Sequence, residues 1–277
     1  MIKTISLGIS TCLLGEKVRY DGGHALDRFL KETLGAYVRY VPVCPEVECG
    51  FGIPREAMRL TGDPEHPRLV TTRTGVDHTE RMEAWAGTRA AGLEHDNLCG
   101  FIFKSNSPSS GMERVKVYDE KGVPRKIGVG VFARTFMEHF PLVPVEEDGR
   151  LHDPILRENF IDRIFTYKHY RESIERKNRR GSLVDFHARH KLLLMAHSPK
   201  HLKQMGHLVA HAKELSTQEL VGRYEKLLMA AMALKSSPAK HVNVLHHMMG
   251  YFRKNLSADE KQELTEVIDG YRRGLIP

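Results

Sequence analysis

The grammar of this chain changes near residue 147, and that change requires two differently built parts. Before it, short β-type runs alternate with helical stretches. Residues 5–9, 37–43 and 100–104 read as strands, rich in β-branched and aromatic residues. Residues 115–118 and 128–131 flank a turn at Gly122-Val123-Pro124, and 142–145 read as a last strand. Residues 27–33, 79–93 and 131–140 read as helices. Asp77 or Thr79 caps the second, and Met82, Trp85, Ala86 and Leu93 fall near one of its faces. Strand, helix, strand, helix is the order of a parallel sheet covered by helices. After the polar stretch 146–154 no segment reads as a convincing strand. Helices are expected at 159–177, 183–196, 199–214, 217–234, 239–255 and 258–273. Ser216 and Ser257 each stand three residues before an acid, Glu219 and Glu260, which is the capping-box spacing. Met248, Met249, Tyr251 and Phe252 read as core. The expectation is a Rossmann-like parallel α/β domain over residues 1–147 followed by an all-α domain over 151–277.

Charge follows the same division. Residues 1–150 hold 20 Lys+Arg against 21 Asp+Glu, a balance of −1, and residues 151–277 hold 22 against 14, a balance of +8. A near-neutral half joined to a basic half suggests a polyanion as partner of the second. No apolar run approaches the roughly 18 residues a membrane helix needs. The first residues lack the long apolar stretch of a signal peptide, so the expected compartment is the cytoplasm. Four cysteines in a reducing compartment are core residues, metal ligands or catalytic groups rather than a disulfide framework.

The cysteines fall at informative places. In an open α/β sheet, ligands gather beyond the carboxyl ends of the strands, where the chain order reverses. Cys12 follows the first strand, Cys44 ends the second, and the loop 105–111 follows the third. All three should meet at one edge. Cys49 lies five residues after Cys44, in a loop flanked by Pro45 and Gly50 that can fold back to the same place. Cys99 precedes its strand and belongs at the other end, roughly 15 Å away, where it reads as a small buried hydrophobe. Three thiolates at one crevice suit a soft metal or an iron–sulfur cluster. A structural zinc wants a fourth ligand, whereas three ligands and an open corner suit catalysis. Composition does not separate the two metals, and the spacing matches no common ferredoxin pattern.

Cys12-Leu13-Leu14-Gly15-Glu16-Lys17-Val18-Arg19-Tyr20-Asp21-Gly22-Gly23, Cys44-Pro45-Glu46 and Ser107-Pro108-Ser109-Ser110-Gly111 resemble, in the right order, the signature blocks of the thiouracil desulfidase family. That resemblance spans roughly residues 4–147. Residues 151–277 resemble the helical domain often fused to it, through segments 186–191, 196–199 and 243–252. The two-domain form is similar to desulfidases acting on 4-thiouridine in tRNA. Members of the helical family usually continue past the point where this chain stops, so a further terminal segment is expected.

The resemblance implies a 4Fe–4S cluster held by three cysteines, with one iron left to take a thiocarbonyl sulfur. Cys12 and Cys44 match two ligands. The third falls at position 110, where this chain has Ser110, and a hydroxyl is a hard, poorly ionised substitute for a thiolate. The expected third ligand is therefore Cys49, with Cys99 or loss of the cluster as alternatives. Glu46 matches the family's acid and would move protons. Ser107 matches the hydroxyl beside the substrate, and Arg19, Asp21, Ser109 and Ser110 are expected along the substrate site. The implied reaction replaces C=S of a thiolated uracil by C=O and releases sulfide without net redox. The alternative is a non-catalytic RNA-binding or regulatory protein whose cysteines hold a structural metal.

Other residues carry two readings each. Asp21-Gly22-Gly23-His24 lines the substrate or simply forms a turn. Arg19 and Arg55 meet phosphate or pair with a nearby acid. His187 and His190, three apart, bind metal or serve structure. The run Arg176-Lys177-Asn178-Arg179-Arg180 is a solvated helix end or an RNA phosphate contact, and the charge of its half favours the phosphate.

Overall fold

The computed structural model describes residues 5–176 and 179–276. It divides into two compact units, Met1–Phe160 and Ile161–Pro277. In chain order the first unit contains β1 (Ile5–Ser10), β2 (Val38–Val43), α1 (Pro45–Glu48), β3 (Met58–Thr61), β4 (Arg68–Thr71) and α2 (Thr79–Leu93). There follow β5 (Gly100–Phe103), β6 (Val115–Tyr118), β7 (Pro124–Gly128), α3 (Val131–His139) and β8 (Val145–Glu147).

The main sheet has the order β2-β1-β5-β8, and every pairing in it is parallel. All six residues of β1 are buried, as in a strand covered on both faces. Phe101 and Phe103 of β5 stack at 4.3 Å and bury against Phe132 and Phe136 of α3 and Ala86 and Leu93 of α2. Truncating one such ring to alanine costs about 3–5 kcal/mol. Because β2 lies on one side of β1 and β5 on the other, the chain order reverses between β1 and β5.

A second sheet, β4-β3-β6-β7, was not expected. The turn at Gly122 was legible, but its second strand runs over Pro124–Gly128 rather than 128–131, and β3 and β4 are four residues each and carry Arg59 and Arg68. Only Leu60, Leu69, Val70 and Thr71 turn inward, too few for an alternating pattern. The last strand also begins later than expected, because it contains the buried acids Glu146 and Glu147. Arg150 Nε donates to Glu146 at 2.5 Å and the Met112 N–H to Glu147 at 2.8 Å, which offsets their desolvation.

The second unit is helical: the rest of α4 (Pro154–Ile174), then α5 (Arg179–His197), α6 (Pro199–Ala210), α7 (Thr217–Met232), α8 (Pro238–Tyr251) and α9 (Ala258–Arg272). The division falls inside α4 rather than in the polar stretch 146–154. The start of α4 stays with the first unit: Arg157 lies over the Phe29 ring at 4.8 Å, and His152, just before the helix, meets Asp27 at 3.2 Å. Both arms of the capping box form at Ser257 and Glu260. At Ser216 only one forms, because Arg223 one turn on takes the Glu219 carboxylate at 2.6 Å. His187 Nδ1 meets the Tyr224 hydroxyl at 3.1 Å, and His190 stacks on Phe186 and meets its carbonyl at 2.9 Å. Burial holds both imidazoles below their ordinary pKa, so the pair has structural partners. Met248, Tyr251 and Phe252 are 38%, 61% and 53% exposed, correcting their reading as core. Val244 is the only buried residue of α8.

Candidate active site

A cavity of about 470 Å³ opens beyond the carboxyl ends of β1, β2 and β5, at the reversal of chain order. β1 ends in a single 3₁₀ turn, Thr11–Leu14, that carries Cys12 into its wall. β2 ends at Cys44, the N-cap of α1, with Pro45 preset for the first helical position. The Cys44 N–H donates to Glu48 at 2.9 Å, and Arg89 of α2 holds that carboxylate at 2.9 Å. Glu48 is therefore a brace for α1.

The third wall is the loop after β5. Its start is pinned by Asp148, which accepts from Lys104 Nζ at 2.8 Å and from the Ser105 N–H at 2.7 Å. Burial alone would raise the Asp148 pKa, but the ammonium and the N–H outweigh it and hold the carboxyl below its usual range. The far end packs on the start of α3, where the Val131 and Ala133 N–H groups donate to the Pro108 and Ser109 carbonyls. Gly130 permits that approach: a Cβ there would lie 2.5 Å from the Ser109 backbone carbon.

Glu46 is the hub. Its Oε1 accepts from the Ser109 hydroxyl at 2.6 Å. Its Oε2 lies 3.7 Å from the Cys44 thiol and 3.7 Å from Arg55 Nη2. Both side chains of the ion pair are largely buried, 14% and 11% exposed. Since Ser109 gives its only proton to Glu46, Ser107, 3.0 Å away, donates to Ser109. A hydroxyl chain therefore runs from the cavity wall at Ser107 to the carboxylate. Burial first, and then the Glu46 charge, pushes the Cys12 thiol up to about 11 and the Cys44 thiol up to about 12. Both thiols are protonated at neutral pH without a metal.

The 2-thiouracil desulfurase family matches residues 7–148, just over half of the chain. The chain belongs to this family. Residues 191–277 match a second family, described as a protein of unknown function (DUF1722). The uncharacterized protein YbgA of Escherichia coli (strain K12) is 34% identical over 116 residues, covering 42% of this chain and 69% of YbgA. The uncharacterized protein YbbK of Bacillus subtilis (strain 168) is 32% identical over 108 residues, covering 37% and 71%. Among solved structures, the 4Fe–4S-dependent thiouracil desulfidase TudS is similar at 28% identity and a TM-score of 0.44, over 55% of this chain and 95% of that one.

In this member of the desulfurase family, Cys12, Cys44, Glu46, Arg19, Ser107 and Ser110 line one cavity. Cys49 is not among the lining residues. It packs with Leu60, Leu69 and Met82, and its thiol faces the Arg81 carbonyl at 3.6 Å. The five-residue loop does not fold back as expected, because Pro45–Glu48 forms a helical turn and Arg81 holds the Cys49 carbonyl at 2.7 Å. Cys99 sits at the opposite strand end, its N–H on the Ser6 carbonyl at 2.8 Å. Asp21 accepts from the Gly23 N–H at 2.9 Å, the turn reading, and meets Arg19 at 3.6 Å. Ser109 is fully buried beside Glu46 rather than on the wall. Arg55 takes the acid-pairing reading. Asp148 was missed; its one signal was its place just after a strand end. In the second unit Arg176 and Arg179 are exposed, Arg180 donates to the Leu215 carbonyl, and Lys177 lies outside the described residues. No helix among the described residues is long and apolar enough to cross a membrane.

Proposed function

We propose that the chain is a cytoplasmic desulfidase that replaces the thiocarbonyl sulfur of a thiolated uracil by oxygen, with 4-thiouridine in tRNA as its substrate. The balance is C=S plus water giving C=O plus hydrogen sulfide, with no electron gained or lost. The observation that carries the reading is the meeting of Cys12, Cys44 and Glu46 with the 105–110 loop in one cavity, in a chain of the 2-thiouracil desulfurase family.

The cofactor of this reading is a 4Fe–4S cluster. Cys12 and Cys44 would hold it once their thiols lose their protons. Ser110 is buried and lines the same cavity, which supports it as the third donor, and the packing of Cys49 counts against the expected assignment. When bound, the cluster supplies a Lewis-acidic iron with affinity for sulfur. The protein groups do the rest. Glu46 takes a proton from the attacking water and returns it to the departing sulfur or the ring nitrogen. Arg55 and Ser109 hold the carboxylate in one orientation. Ser107 turns its hydroxyl from Ser109 to the substrate carbonyl, and Arg19 lines the wall beside it. Exposed Arg176 and Arg179 suit RNA phosphates.

Glu46→Gln tests the reading. It should keep iron and fold yet lower turnover on 4-thiouracil by roughly two to four orders of magnitude. Near-normal turnover with an intact cluster would exclude the role. Cys49→Ala should keep its iron; a variant that loses it would restore Cys49 as the third ligand.

A further inference from the structure

The second unit holds a cavity of about 550 Å³ that the proposed chemistry does not use. It lies between one face of α6 and one face of α7. Gln204, His207, Leu208 and His211 fall at i, i+3, i+4 and i+7, and Arg223, Lys226 and Leu227 at i, i+3 and i+4. The half-buried Leu208, Leu215 and Leu227 form an apolar floor. The rim is polar, exposed and mostly basic. His211 Nδ1 lies 2.8 Å from His207 Nδ1 and 2.9 Å from the His207 carbonyl, so its N–H is donated to that residue. Arg223 is shared with Glu219, but Lys226 makes no ion pair among the described residues. Glu214 is the one acid among the lining residues, since Glu225 is turned to the Tyr167 hydroxyl at 3.0 Å. The Leu215 carbonyl is held by the Arg180 guanidinium, so the basic run noticed in the sequence braces this floor.

An apolar floor beside the Arg223 and Lys226 cations fits a planar, weakly polar group that carries an anion. The half of the chain that contains it carries 22 Lys+Arg against 14 Asp+Glu over residues 151–277, which favours a polyanion. We propose that this cavity receives one nucleotide unit of an RNA, its base on the leucines and its phosphate on Lys226 and the imidazole pair. The inference rests on the reading of tRNA as substrate. It moves the decisive RNA contact from residues 176–180 to the α6–α7 cavity.

The test uses the full chain and three probes: a tRNA carrying 4-thiouridine, uridine monophosphate and uridine. Lys226→Glu is compared with Lys203→Glu, an exposed change of equal charge on α6 outside the cavity. Lys226→Glu should weaken tRNA binding by about tenfold and Lys203→Glu by less than about twofold, because only a site-bound phosphate distinguishes two equal charges. The wild-type chain should bind uridine monophosphate more tightly than uridine, and His207→Gln should reduce that difference. Equal losses from the two lysine variants, or none, would overturn the proposal, as would inorganic phosphate binding as tightly as the nucleotide. A wild-type chain that binds no tRNA would remove the RNA reading itself. Sulfide release from free 4-thiouracil by the wild-type chain reports the desulfidase reading separately.

Discussion

Cys44, Arg55 and Ser109 each lie within reach of Glu46, and each limits what that carboxylate can do. The ordinary pKa of a cysteine thiol is 9.0, and the fold raises those of Cys12 and Cys44 to about 11 and about 12. In the metal-free chain both are therefore poor nucleophiles, and iodoacetamide at neutral pH should alkylate them at least about tenfold more slowly than free cysteine. The raised values also fix a sign. The protonated thiols favour the folded state fully below pH 9, and that contribution is lost as pH rises through 11 to 12. Urea midpoints of the metal-free chain should therefore fall above pH 9, more than in Cys12→Ala/Cys44→Ala; equal slopes in the two proteins would contradict the assignment. Cys12 and Cys44 were legible from their places at strand ends. The Ser109–Glu46 bond was not, because it joins residues 63 apart in the chain. Nor did the sequence carry any sign that Arg81 would hold the Cys49 carbonyl away from the cavity wall.

The elements explain why the site is rigid. The 105–111 loop is braced by Asp148 at one end and by the start of α3 at the other. Gly130→Ala would press a methyl group into the Ser109 backbone. It should destabilise the first unit by about 1–3 kcal/mol in urea unfolding and lower turnover together with stability. Unchanged values in both would mean that the loop yields easily. In the second unit, Ser257→Ala removes the hydroxyl that accepts from the Glu260 N–H and donates to its carboxylate, leaves the backbone arm of the capping box, and should cost about 1 kcal/mol. Ser216→Ala removes only one side-chain bond and should cost less. Most helices and the first three main-sheet strands were readable, because apolar spacing and caps are local signals. β3, β4, β7 and β8 were not. Their stability comes from partners across the sheet and from ion pairs that satisfy buried acids, which short-range patterning does not encode.

At the scale of the whole molecule, the near-neutral half carries the candidate chemistry and the basic half the candidate RNA contacts. Affinity for tRNA should fall steeply with salt, with a log–log slope of about −0.7 to −0.9 per phosphate contact. Reversing Arg176 and Arg179 should flatten that slope; an unchanged slope would exclude them as phosphate contacts. The most direct measurement of the central claim is product analysis after incubating the anaerobically purified full chain with tRNA carrying 4-thiouridine, and in parallel with free 4-thiouracil. The account predicts sulfide and the corresponding oxo-pyrimidine in equal amounts, with no external electron donor, and loss of both products in Glu46→Gln. Protein that retains its iron but releases no sulfide from either substrate would contradict it.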